Sequence, residues 1–406
     1  MAGAAEDIVT WTLGVGLDGL DQAELVAGYC ERLVEAGVPL WRASVGADTL
    51  HPLIAAQGHR WLAGEGVHAE FYRRARDNPE GEKEWRESPW FRLIESGEWQ
   101  MRRQLAAGEG TNEFPLLADL AAQGGTDYWT RLVGFGERGS IGDTRGLASS
   151  WATREPGGFA ERDIALIEAT LPAFALAFKA SMAIDAARTL VTTYLGRDAA
   201  ERILRGEIER GQVNTMHKVL WFSDLTGFTR IADTLPREQL LDLLNAYADC
   251  LVGVVHDHDG KALKFMGDGI LAVFDGAQAD ACRRALDAAW AARAAIARLN
   301  RERSAGGLPV TGFTLALHQG EVLYGNVGSR DRLDFTVIGP AVNELSRIQA
   351  MSRSLDQPIL VSASFAAACG DQRARLVSLG RYALRGVGRP QELFTLDVAE
   401  SDHVEK

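Results

Sequence analysis

The 406-residue chain is 46% hydrophobic and 24% charged, ordinary for a globular protein and long enough for two domains with separate cores. A formal net charge of -12 argues against a chain that wraps nucleic acid, which needs a basic face, while leaving room for a local basic pocket. Cys30, Cys250, Cys282 and Cys369 lie far apart with no CxxC pair, so neither a zinc site nor a disulfide framework is indicated and a reducing compartment fits. The opening MAGAAEDIVTW lacks a basic stretch before an apolar core, and the most apolar segment, 171–187, is interrupted by Lys179 and Asp185. The expectation is therefore no signal peptide, no membrane span and a cytoplasmic location.

Leu25, Tyr29 and Leu33 recur every four residues ahead of Gly37 and predict a first amphipathic helix. Strand-like runs follow at 40–45, at 127–135, where Trp129, Arg131, Val133 and Phe135 alternate with their neighbours, and at 145–152. The charged stretch 73–87, with Asn78-Pro79, reads as a solvated loop. A mixed sheet flanked by helices is the expected result, and the closing run GGFAERDIALIEATLPAFALAF resembles the end of a GAF-type sensor domain; a PAS-like or unrelated α+β domain would read much the same. Eight of the ten tryptophans precede residue 152, which suits either an aromatic ligand pocket or, more simply, core and dimer contacts. His51, His59 and His68 suit a metal or haem site or, more simply given their irregular spacing, surface or core histidines.

Ile164, Ile167, Leu171, Phe174, Phe178 and Met182 form a heptad-like stripe and predict a dimerising helix that Pro172 should bend or split. Segment 186–212 contains a break at Gly196-Arg197-Asp198 followed by a second short helix, placed where a signal would pass to the C-terminal region.

From residue 217 the pattern changes. KVLWFSD is an apolar strand ending in Asp224, next to LTGFT; such an acid caps a helix or, with nearby carbonyls, presents oxygens to a hard cation. LKFMGDGILAVF places Asp268 in a glycine turn between two strands, either an ordinary hairpin or the second acid of a metal pair. In DFTVIGPAVNELSRIQ a strand stops at Gly339-Pro340 and a helix begins whose Asn343 and Arg347, four apart, share one face. That pair is either solvated or available to phosphate and sugar. Lys264 alone is a strand lysine whose head reaches water, and Thr336 alone a β-former.

Taken in order, FSDLTGFT, KFMGDGILAVF, LHQGEVLYGNVGS, FTVIGPAVNELSR and LRGVGRPQELFTL closely resemble the class III nucleotidyl cyclase catalytic domain, over about residues 213–398. The resemblance implies a ferredoxin-like α/β domain with a mixed, mostly antiparallel sheet, working as a head-to-tail homodimer whose two active sites are shared between chains. It implies Asp224, Asp268 and the backbone carbonyl of Leu225 as ligands of two Mg2+ or Mn2+ ions. Arg347 would stabilise the transition state and Asn343 would orient the ribose. Lys264 and Thr336 would read adenine, and Phe228, Thr229 and Arg385 would line the substrate. The implied reaction is ATP to cyclic AMP and pyrophosphate, with a guanylate cyclase or a silent nucleotide sensor as the alternatives. Threonine at 336 followed by Gly339-Pro340 resembles the bicarbonate-responsive subclass, whereas Glu321 departs from relatives that carry a phosphate-binding arginine there. The expected organisation is a GAF-like domain that takes an unknown small-molecule effector (1–185), a helical transducer (186–212), the catalytic domain (213–398) and a flexible tail (399–406).

Overall fold

A computed structural model describes residues 2–74, 78–136 and 146–397, and the expected tail lies outside them. The chain divides into two compact units, Met1–Leu190 and Val191–Lys406.

The first unit contains helices α1 (Ala2–Asp18) and α2 (Gln22–Glu35), strands β1 (Arg42–Asp48), β2 (Ile54–Leu62) and β3 (Gly66–Arg73), and helices α3 (Pro79–Arg86) and α4 (Pro89–Ser96). Strand β4 (Gln100–Arg103), helix α5 (Pro115–Ala122), strands β5 (Asp127–Gly134) and β6 (Gly146–Thr153) and helix α6 (Glu161–Leu195) follow. Its six strands form one antiparallel sheet in the order β3-β2-β1-β6-β5-β4. Ala43, Val45, Trp61, Trp129 and Trp151 point from one face into a core shared with Tyr29, Leu33, Ile167, Phe174 and Phe178. A smaller cluster built on Leu93, Met101, Leu117 and Tyr128 covers part of the other face. The tryptophans are thus divided between core positions such as Trp129 and Trp151 and exposed ones such as Trp99, rather than gathered in one pocket.

Three expectations for this unit are corrected. The stretch read as a solvated loop contains α3, because Asn78 Oδ1 accepts the Gly81 N–H and Pro79 sits at the first helical position, where its missing donor costs nothing. The stripe read as a dimer seam is buried in the unit's own core, since an apolar face of this period serves either use. Pro172 neither ends α6 nor separates its first turns: it removes one N–H donor, and buried Leu171 and Phe174 hold the helix on both sides. By length and hydropathy α6 also qualifies as a membrane span, although half of that window is buried within the protein.

The second unit begins with α7 (Arg197–Leu204), set off from α6 by Gly196, and continues through β7 (Val213–Leu225), α8 (Phe228–Thr234), α9 (Arg237–Asp257), β8 (Gly260–Met266) and β9 (Gly269–Phe274). Next come α10 (Gln278–Ala305), β10 (Phe313–Gly328), β11 (Leu333–Ile338), α11 (Pro340–Ala350), α12 (Ser352–Leu355), β12 (Ile359–Ser362), α13 (Ala363–Ala368), β13 (Leu376–Tyr382) and β14 (Gln391–Leu396). The eight-stranded sheet runs β13-β14-β12-β10-β7-β9-β8, with β11 added to the far half of β10. Among the described residues only the β10–β12 pairing is parallel, so the sheet is mixed and mostly antiparallel, as expected. Alternation along β7 sends Val219 and Trp221 into the core under α9 and α10, and Leu220 into the core on the opposite face with Leu345 and Ile348 of α11.

The segment read as a transducer is partly built into this unit. Ala199 and Ala200 of α7 are buried, and Asp198 accepts hydrogen bonds from Lys261 Nζ (2.5 Å) and Tyr324 Oη (2.7 Å). Burial alone would raise the Asp198 pKa, but those two partners hold it below the usual carboxylate range.

His318, 5% exposed on β10, contacts Ser362 Oγ through Nδ1 at 2.9 Å. Burial, with His217 adding repulsion, depresses its pKa to about 4. Because the folded state resists the proton that the unfolded chain accepts near pH 6.5, stability falls as pH drops from about 6.5 to 4, by on the order of 3 kcal/mol from this group. In urea titrations, His318→Gln is expected to flatten that part of the pH profile; an unchanged profile would assign the loss to other groups.

Candidate active site

Two strand ends bring the acids together. Asp224 lies at the end of β7, and Asp268 lies in the two-residue turn joining β8 to β9, where Met266 pairs with Gly269. Gly267 takes a φ of +69°, which a tight hairpin requires and a side chain resists. Because β9 pairs with β7, the turn is delivered beside Asp224, and the Leu225 N–H donates to Asp268 Oδ2 at 3.1 Å. Burial and the neighbouring Asp268 carboxylate push the Asp224 pKa up to about 7. Two half-buried acids with no cationic side chain among their recorded partners form a hard-oxygen donor pair whose repulsion a divalent cation relieves, so the residues present fit a Mg2+ or Mn2+ site. Leu225 is seen to contribute its N–H, and among the described residues no cluster of three or more acidic, histidine or cysteine side chains adds to the pair.

A second group forms around β8 and β11. A register shift between Ala262 and Lys264 re-aims β8, and Lys264 Nζ pairs with Asp334 Oδ2 at 2.6 Å. Thr336 is two residues from Asp334 and therefore on the same face of β11, but it is 5% exposed and its hydroxyl has no hydrogen-bond partner. Its cross-strand neighbour is Gly325, where a Cβ would lie 2.2 Å from the Gln212 carbonyl oxygen, so no side chain is accommodated opposite Thr336.

Helix α11 carries the third group. Asn343 is exposed, and Arg347 is half-buried one turn later with its guanidinium against Gly386, whose Cβ would lie 3.3 Å from Nη2. Exposed Arg385 is the neighbour of that glycine in the β13–β14 connection. The helix is tied to the acid pair from behind: Gln349 Nε2 donates to Thr314 Oγ1 (2.9 Å), which donates to the Asp224 carbonyl (3.4 Å). Phe228 opens the short helix α8 and packs partly on the core, while Thr229 beside it is exposed.

The structure thus joins Asp224, Leu225 and Asp268 in one cluster, connects Lys264 to the strand that carries Thr336, and sets Arg347 against Gly386. Sequence reasoning missed Asp334, Thr314 and Gln349. Asp334 was findable, since period-two alternation in LDFTV puts it on the face of Thr336; Thr314 and Gln349 act through contacts remote in sequence and gave no signal.

This sheet thus carries acids on two neighbouring strand ends and a helix with Asn343 and Arg347 directly after β11. Residues 213–397 match the family described as the adenylate and guanylate cyclase catalytic domain. The chain is 34% identical over 161 residues to the adenylate cyclase of Anabaena cylindrica, covering 39% of this chain and 32% of that protein. It is 30% identical over 185 residues to adenylate cyclase 1 of Rhizobium meliloti, covering 41% and 27%. The chain thus spans about a third or less of the length of these two relatives. Among solved structures, the adenylyl cyclase CyaB of P. aeruginosa aligns at 26% identity and a TM-score of 0.41 over 45% of this chain and 95% of that one.

If the acid pair holds a divalent cation, adding Mn2+ at pH 7 to the purified chain raises the thermal midpoint of the C-terminal unit. Saturation at about 100 times Kd is worth roughly 2.7 kcal/mol. Asp268→Ala should abolish the rise, and an equal rise in that variant would place the ion elsewhere.

Proposed function

We propose that this protein is an adenylate cyclase that converts ATP to 3′,5′-cyclic AMP and pyrophosphate, with an N-terminal GAF-like regulatory domain and a cytoplasmic catalytic unit. The observation that carries the choice of ATP is the pair on β8 and β11: an ammonium fixed by Asp334 beside a buried hydroxyl without a partner. The Lys264 ammonium is donor-only, so it suits the acceptor N1 of adenine and opposes the N1–H of guanine. The Thr336 hydroxyl accepts from the exocyclic amino group and so satisfies an otherwise orphaned buried atom. The two relatives named as adenylate cyclases add support.

Asp224, Asp268 and the Leu225 carbonyl would hold two Mg2+ or Mn2+ ions. Bound there, the cations supply charge neutralisation for the triphosphate and acidify the ribose 3′-hydroxyl. Asn343 hydrogen-bonds and orients the ribose, so that its 3′-oxygen lies in line with the α-phosphorus. Arg347 donates to the equatorial oxygens as the 3′-oxygen bond forms and the bond to pyrophosphate breaks. Phe228, Thr229 and Arg385 contact the substrate at the margin of the site. In a head-to-tail homodimer each site takes its acids from one protomer and Lys264, Thr336, Asn343 and Arg347 from its partner, so Lys264 and Asp268, four residues apart, serve different sites.

With Mg2+ or Mn2+ present, the purified chain should form cyclic AMP from ATP faster than cyclic GMP from GTP. Dominant turnover of GTP would make it a guanylate cyclase, and a folded dimer inert toward both would favour a nucleotide sensor. Arg347→Ala should slow turnover about 100- to 1,000-fold.

The division of each site between protomers has its own test. Asp224→Ala and Arg347→Ala homodimers are each expected to be nearly inactive, whereas coexpression restores one working site per heterodimer. Coexpressed chains that associate but stay inactive would rule out shared sites.

A further inference from the structure

The face of the N-terminal sheet that turns away from α1, α2 and α6 carries an unusual set of polar groups. Ser44 on β1 is registered against Arg60 on β2 and Ser150 on β6, and Ser150 against Thr130 on β5. Arg42, two residues before Ser44, is registered against Ala152, which in turn lies opposite Tyr128. Cross-strand partners share a face, so Arg42, Ser44, Arg60, Tyr128 and Ser150 converge on one patch.

Most of these groups are buried without being satisfied. Arg42 is 9% exposed and makes no hydrogen bond or ion pair among the described residues. The hydroxyls of Ser44, Tyr128 and Ser150 and Nε of Arg60 are also buried with no hydrogen-bond partner, although the Tyr128 hydroxyl lies near those of Ser150 and Thr130. Buried polar groups are nearly always paired, and an unpaired buried charge is rarer still. Several on one patch indicate a group that none of the described side chains supplies.

The charge balance sets the kind of group. Glu70 accepts from Arg60 Nη1 at 3.0 Å and from Tyr72 Oη at 2.7 Å, so it pairs directly with Arg60 and reaches Arg42 only through space, leaving two guanidiniums to one carboxylate. One unbalanced positive charge calls for a monoanion. A guanidinium presents two parallel N–H donors that match the two oxygens of a carboxylate, and the hydroxyls beside it can donate to the remaining lone pairs.

We propose that Arg42, with Ser44, Tyr128 and Ser150, forms a binding site for the carboxylate of a small organic acid in the N-terminal domain. This goes beyond the cyclase reading, and its test reads binding rather than turnover, so the two stand or fall separately.

The full chain, without nucleotide, is titrated with acetate, propionate, benzoate or inorganic phosphate against chloride at constant pH and ionic strength. Thermal midpoint and tryptophan fluorescence are followed. At least one carboxylate should give a saturable rise in the midpoint that Arg42→Gln abolishes, and Ser150→Ala should weaken binding about 5-fold. Arg42→Met should raise the ligand-free midpoint, because it removes a charge buried without a partner. The proposal is overturned by no saturable response to any carboxylate, by an equal response in Arg42→Gln, or by a response to phosphate alone. Should Arg42→Gln not fold, the Ser44→Ala/Ser150→Ala double variant decides in its place: unchanged carboxylate affinity overturns the proposal.

Discussion

The long antiparallel ladder between β7 and β10, registered from Val213–Gly325 to Leu225–Phe313, is the constraint on which the C-terminal unit depends. Its β7 end sets Asp224, and β9 on the outer side of β7 delivers Asp268 to the same place. The far half of β10 pairs with β11 and so fixes Asp334 and Thr336, and α11 starts immediately after that strand. A one-residue slip in this register would turn Asp224 and Thr336 to the opposite faces of the sheet. Val219, Trp221 and Leu220 resist such a slip, because each would leave its own core for the other one.

The acid pair shows how the fold maintains an unfavourable arrangement. Two carboxylates side by side repel, and burial disfavours the charged form further, which is why the Asp224 pKa rises to about 7. Backbone fixed by the β7–β9 ladder and the Gly267 turn holds the pair in place at that cost, and the Leu225 N–H donates to Asp268. The same logic operates in the N-terminal sheet, where alternation along β1 commits Ala43 and Val45 to the helical core and so commits Arg42 and Ser44 to the other face. In both units a strand's period of two places polar groups where local chemistry alone would not.

Much of the C-terminal unit was legible because short motifs occur at strand ends, where a turn residue, an apolar run and one polar side chain are adjacent in sequence. Asp224, Asp268, Asn343 and Arg347 were singled out in this way, and the structure brings the two acids together. The N-terminal unit was read less completely. Helix α1 and strands β2, β3 and β4 went unrecognised, the apolar stripe of α6 was assigned to a partner helix, and the Asn78 cap of α3 was taken for a loop. Amphipathic periodicity states that a face will be buried but not against what, and capping residues are equally common in turns.

The amino-acid sequence alone determined the element types around the acids, the glycine turn that presents Asp268 and the order of motifs that resembles a cyclase domain. These depend on interactions within a few residues, which composition and spacing record directly. Only the tertiary structure decided that Asp334 holds Lys264, that Gln349 reaches Asp224 through Thr314, that Asp198 anchors α7 to the sheet and that Arg42 is buried without a partner. The contacts among these join residues 35 to 126 positions apart. Whether a charge finds a partner at that separation is set by strand order and register, which no local pattern contains.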